Sequence, residues 1–230
     1  MRRALLTILI LLLVATGLLL AASRGGLIPQ RYDPFAPIDL ADPPNLMTGI
    51  KLWLMADDAQ ACSAALRRAG VAHKVMPRRS DRPGCTREDT VMVSQFSRAR
   101  FNPEEMKCDI ALRLYLLERH DLQPLARRHL GSEIDRIAHF GSYSCRTIAR
   151  SSRMSEHATA DAFDISGFRL ADGRTISLKT HWARGDAPAL FLRQAGIRAC
   201  LLFNMVLGPD YNAAHADHFH VDMGWFMGCH

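Results

Sequence analysis

The chain has 230 residues, 48% of them hydrophobic, which is enough for one cored domain with a small appendage. Its formal net charge of +6 favours an anionic partner. Aromatic residues make up only 7%, and no basic block is interleaved with them, which argues against nucleic acid as that partner.

Arg2 and Arg3 precede an uncharged, mostly apolar run from Ala4 to Ser23. About 20 apolar residues cross a bilayer, whereas the apolar core of a signal peptide is about 7–15 residues long. No A-x-A site closes the run. Residues 1–23 therefore read as an uncleaved membrane anchor, with a cleaved signal peptide as the alternative. The two arginines stay on the cytoplasmic side. The rest of the chain is then expected on the periplasmic side of the inner membrane, or secreted if the segment is cleaved. Residues 24–48 carry five prolines and form an extended linker or a strap on the domain surface. The domain proper is expected over residues 49–230.

Residues 50–70 end in a helix that Asp57 or Asp58 caps and Gly70 stops. "VAHKVMPRRSDRPGC" (71–85) reads as a basic loop. "TVMVSQF" (90–96) alternates like a strand. A helix is predicted over 108–120, resuming past Pro124 as far as Gly131. Residues 134–145 read as a strand running into a loop. Residues 162–178 form a hairpin that turns at Asp172-Gly173. A helix over 188–203 and a strand over 218–226 follow. Helices that precede and interrupt hairpin-paired strands give an α+β fold with a small antiparallel sheet. Six cysteines without a C-x-x-C pair read as disulfides in an exported domain. Nearest-neighbour pairing gives Cys62–Cys85, Cys108–Cys145 and Cys200–Cys229.

The chemistry gathers in two segments. "HADHFHVD" (215–222) holds three histidines and two aspartates, and "SEHATADAFD" (155–164) offers His157 and Asp164. Two histidines and a carboxylate, with a fourth position left to water, are the layout of a catalytic zinc site. Residues two apart in a strand share a face. His218 and His220 then point together, and Phe219 points into the core. A spacing of seven keeps His157 and Asp164 off one straight strand face, so a turn separates them, with His157 on the loop and Asp164 on the strand.

"SEHATADAFD" resembles the S-x-H-x-x-G-x-A-x-D signature of the zinc peptidases grouped with lysostaphin, D-Ala-D-Ala peptidases and the sonic hedgehog domain. "HADHFH" resembles the H-x-x-H-x-H segment of penicillin-insensitive murein endopeptidases. "GSYSCR", "SEHATADAFDISGFRLADGR" and "LGPDYNAAHADHFHVDM" together resemble the bacterial extensin-like C-terminal domain family, over roughly residues 50–230. The resemblance implies His157, Asp164 and His220 as ligands of Zn2+. It also implies metal-assisted hydrolysis of a peptide bond in peptidoglycan, of murein endopeptidase or carboxypeptidase type. His218 is the first candidate for the base, because alternation sets it beside His220. Asp217 is the rival, matching the base of the D-Ala-D-Ala branch but facing away from His220 by simple alternation. His215 stands before the strand, to orient His218 or hold the oxyanion. Arg146 is expected to bind a substrate carboxylate or the oxyanion, as an arginine does in related carboxypeptidases.

Plainer roles stand beside these. Ser155 suits a turn or cap as well as a functional role, and Asp222 a strand-end cap or support of the site. Tyr143 and Tyr211 suit packing. Ala160 stands where the signature usually has glycine, a mild change unless the backbone there needs a positive φ. A non-catalytic, zinc-containing wall-binding or structural domain is the alternative to a hydrolase. Structural zinc usually has four protein ligands, and His215 or His218 would supply the fourth.

Overall fold

A computed structural model describes residues 2–56, 58–149 and 151–230. Helix α1 (Arg2–Arg24) is the apolar run, with no residue buried against the domain. It is long and apolar enough to cross a membrane. Residues 25–45 connect α1 to α2, narrower than the expected 24–48, and part of this segment lies on the domain as a strap. Ile38 and Leu40 of the strap reach the core. Arg68 donates to the Ile38 carbonyl, and the His120 ring bonds the Leu40 carbonyl.

Helix α2 (Leu46–Leu54) opens on a capping box. The Asn45 side chain accepts from the Met47 N–H, and the Thr48 hydroxyl accepts from the Asn45 N–H. Helix α3 (Ala59–Arg68) is capped by Asp58, which accepts from the Ala61 N–H at 2.8 Å. The other candidate cap, Asp57, lies outside the described residues. The expected basic loop instead holds strand β1 (His73–Val75) and a small hairpin, β2 (Arg79–Ser80) with β3 (Thr86–Arg87). Strand β4 (Thr90–Gln95) follows as expected, and then a strand absent from the sequence reading, β5 (Arg100–Lys107).

Helix α4 (Cys108–Leu117) is buried along its whole length. A π-helical turn, Glu118–Leu122, joins it to α5 (Gln123–Leu130), which ends on left-handed Gly131. Strand β6 (Ile134–Gly141) precedes β7 (Ala162–Leu170). The predicted hairpin is present, with Gly173 at φ +90° between β7 and β8 (Thr175–Ser177). Helices α6 (Leu178–His181) and α7 (Ala187–Ala199) lead to β9 (Met205–Leu207), β10 (Phe219–Asp222) and β11 (Gly228–Cys229). The expected strand over 218–226 thus stops at Asp222.

The fold is α+β. Its sheet, however, is neither small nor wholly antiparallel. Among the described residues nine strands join in the order β1-β4-β5-β6-β7-β10-β9-β11, with β8 also on β7. β5 runs parallel to β6, and β11 parallel to β9. β7 is central. β6 borders one edge, while β10 and β8 share the other.

Disulfides staple this arrangement, but two pairings differ from the nearest-neighbour expectation. Cys62 pairs with Cys108 and Cys85 with Cys145, while Cys200–Cys229 is as expected. The reason is packing. α3 lies on α4, which brings Cys62 to the first residue of α4. The loop of the β2–β3 hairpin lies against the segment after β6, where Arg82 also donates to the Cys145 carbonyl.

Candidate metal centre

Three elements meet at one point. The β7–β10 register sets His220 directly opposite Asp164. His157 comes from a 3-10 turn, Glu156–Thr159, in the loop before β7. Ser155 caps that turn, its hydroxyl accepting from the His157 N–H at 3.3 Å. The chain then reverses at Ala160, whose φ is +57°. The glycine expected there would adopt this conformation without a Cβ penalty. Alanine keeps the turn because Ser142 Oγ and the Lys107 N–H both donate to the Ala160 carbonyl.

The result is a compact donor set. His157 Nε2 lies 3.0 Å from His220 Nδ1 and 3.2 Å from Asp164 Oδ1, and His220 Nδ1 lies 2.9 Å from that same oxygen. All three residues are buried. An ion with tetrahedral bonds of ~2.0–2.1 Å holds its ligands about 3.3 Å apart, so this group fits one. Two imidazole nitrogens and a carboxylate oxygen also suit a borderline divalent metal by chemistry.

The remaining ring nitrogens are committed elsewhere. His157 Nδ1 donates to the Ser142 carbonyl at 2.6 Å, and His220 Nε2 donates to Asp222 at 2.8 Å. Such outer partners fix the tautomer and aim the free nitrogen at the ion. Asp222 also accepts from the Gly224 N–H at 2.8 Å. It is thus both the strand-end cap and a support of the site. Burial alone would lower the His220 pKa, but its hydrogen bonds to Asp164 and Asp222 outweigh that and raise it to about 9. Burial would likewise raise the Asp164 carboxyl, yet the two histidines hold it well below the usual carboxylate range.

The other expected residues surround this group. His218 shares the face of His220, with Nε2 3.7 Å from Asp164 Oδ1. Its Nδ1 donates to Asp217 at 2.9 Å. Asp217 therefore contacts the site through His218. His215 sits in a 3-10 turn, Ala213–His215, its ring centre 5.2 Å from that of His218 and 5.8 Å from that of His220. Burial first, and then the neighbouring histidines, lower its pKa to about 4. Arg146 is exposed, and its charge also acts on His215. Tyr211 packs edge-on against His215, whereas Tyr143 is held away by Asp81 and by Arg87 stacked at 3.9 Å.

Asp222, open in the sequence between a strand-end cap and support of the site, had a readable signal, since it stands two residues after His220 on the same face. Two further neighbours went unrecognised. Phe140, edge-on to His218 at 5.4 Å, had no such signal. The Ser142 carbonyl is backbone and leaves no trace in residue identity. The histidines without motif context make ordinary bonds. His73 bonds Ser63, His129 bonds Gln194, and His139 stacks on Phe163.

Fold and site together define a disulfide-bonded α+β domain with a buried His-Asp-His group able to hold a metal ion. The apolar N-terminal helix marks a membrane anchor or signal sequence, and the disulfides point to an extracytoplasmic location. The chain belongs to the family described as Extensin-like protein C-terminus, whose model matches residues 60–230. No curated protein and no solved structure matches it.

Proposed function

We propose that the protein is a zinc-dependent hydrolase of peptide bonds in peptidoglycan, held by α1 on the periplasmic side of the inner membrane. The observation that carries this reading is a three-donor group with a hydrogen-bonded histidine–aspartate pair beside it. Kinship with the lysostaphin and D-Ala-D-Ala zinc peptidases is part of the reading. It is supported by the His157–Asp164 spacing and by His220 as the third donor.

His157, Asp164 and His220 would hold the ion. Bound there, zinc supplies a Lewis acid and a water of lowered pKa. His218 is the group suited to take the proton. Asp217 accepts its Nδ1–H, which leaves the Nε2 lone pair on the side of Asp164. The two rivals for the base thus act as a pair, Asp217 orienting and His218 accepting. His215 donates Nδ1–H to Asn212 Oδ1 at 2.9 Å, and its low pKa keeps it neutral near pH 7. Its Nε2 then carries a lone pair, which suits accepting a hydrogen bond better than stabilising an oxyanion. Arg146 is the group for a substrate carboxylate, and its guanidinium matches that planar anion bidentately.

The wall-binding alternative keeps the same metal site without turnover. A structural metal would need a fourth protein ligand, and His218 Nε2, at 3.7 Å from Asp164 Oδ1, stands farther out than the three donors, which lie 2.9–3.2 Å apart. The test is the metal content of the purified chain together with digestion of muropeptides. Stoichiometric zinc with chelator-sensitive cleavage is expected. Stoichiometric zinc without cleavage of any wall peptide would favour the binding domain instead.

A further inference from the structure

The outward face of α2 has the wrong polarity for a domain surrounded by water. Leu46, Ile50, Trp53 and Leu54 recur at helical spacing and occupy one side. They are 85%, 42%, 74% and 52% exposed. The residues that α2 buries are Thr48, Lys51 and Leu52. Thr48 serves the capping box, and Lys51 Nζ donates to the Gln30 carbonyl at 2.7 Å. A surface helix ordinarily buries its apolar stripe and exposes its polar one. α2 instead exposes an apolar stripe, and of its apolar residues only Leu52 is buried, beside Thr48 and Lys51.

The position of α2 in the chain tells what covers that face. α2 is tied to the exit of α1. Ser23, at the end of α1, donates to Asp33 at 2.7 Å. Asn45 donates to the Arg31 carbonyl at 3.2 Å, and Lys51 donates to Gln30. The segment leaving α1 is therefore bonded back to α1 and forward to α2. Leu27, Tyr32 and Phe35 within it are also exposed. Tryptophan and tyrosine settle at the headgroup level of bilayers. A helix with one apolar face lies in the plane of that interface. Arg24 and Arg31, both exposed in the same region, suit lipid phosphate.

We propose that α2 lies in the interface of the bilayer that α1 crosses, with Leu46, Ile50, Trp53 and Leu54 in contact with lipid. The domain then rests on the membrane instead of swinging from a tether. The inference requires α1 in the bilayer and does not depend on the hydrolase reading.

The test uses the full chain reconstituted in vesicles of phosphatidylethanolamine and phosphatidylglycerol, with and without acyl-brominated lipid. Subtracting the Trp53→Phe emission from that of wild type isolates Trp53. The expected result is loss of Trp53 emission to brominated lipid and protection from aqueous acrylamide. Quenching by acrylamide but not by brominated lipid would overturn the proposal. Protection from both, growing with protein density, would mean that a second copy covers the face, and would overturn it too. A double variant, Ile50→Glu with Leu54→Glu, changes exposed positions only. It should keep the three disulfides and lose the quenching by lipid. Unchanged quenching there would mean that the tether alone brings Trp53 near the bilayer, which also refutes docking.

Discussion

His220 stands between two carboxylates, Asp164 at 2.9 Å and Asp222 at 2.8 Å. Only Asp164 belongs to the donor group, so the two carboxylates have separable tasks. Asp222→Asn keeps the size of the side chain and an oxygen for the Gly224 N–H, but removes the charge behind the imidazole. Partners of this kind are worth about 10–100-fold in metal affinity. The expected outcome is a loss of that order in competitive metal titration, with the disulfides and circular dichroism of wild type. Unchanged affinity would mean that Asp222 is only a strand-end cap. The three residues were legible through the resemblance of "SEHATADAFD" and "HADHFH" to a zinc-peptidase signature, and the β7–β10 register sets two of them opposite one another. What remained hidden was set by tertiary geometry. Asp217 reaches the site only through His218, and Ala160 accepts a left-handed conformation that its identity argues against.

The elements that sequence made legible carry a strong local signal, α4 a dense apolar run and the hairpin its Asp172-Gly173 turn. β5 escaped because "RFNPEEMK" carries a proline and two glutamates. Those glutamates are satisfied by partners distant in sequence. Glu104 accepts from the Ser142 N–H at 2.9 Å, and Glu105 accepts from Thr90 at 2.8 Å and Arg87 at 3.3 Å. A buried carboxylate with such partners interrupts the apolar alternation without weakening the strand. The disulfide pairing was hidden for a related reason, since helix packing and not chain proximity decides which thiols meet. Cys200–Cys229 joins the residue after α7 to the last strand, across 29 residues of sequence that carry the histidine cluster. Closing a loop of that length stabilises by about 3–4 kcal/mol in the chain-entropy account. Cys200→Ala with Cys229→Ala should lower stability by that amount in urea unfolding, and should loosen β11 from β9. A loss near zero would mean that strand pairing alone holds the tail.

At the scale of the whole molecule, the histidine cluster makes the stability of the metal-free chain depend on pH in two opposed ways. His220 has its folded pKa raised to about 9, above an unfolded value of ~6.5. Its contribution is full below ~6.5 and is lost as pH rises through about 9. His215 has its folded pKa lowered to about 4, below the same unfolded value. The unfolded chain then binds more protons between these values, so stability rises with pH from about 4 to ~6.5. Asp164, held low by the same histidines, adds to the acid loss only below the ordinary carboxylate range. Its pairing with His220 is one interaction and counts once. The metal-free protein should therefore be most stable near pH ~6.5, with midpoints in urea falling on both sides. Metal changes the two flanks differently. An ion on Nδ1 of His220 replaces the proton there, so the alkaline loss should disappear on adding zinc, while acid should still expel the ion by protonating its ligands. Urea midpoints across this pH range, with zinc and with chelator, measure both flanks. Metal-free midpoints that climb steadily through pH 9 would contradict a His220 held protonated between Asp164 and Asp222.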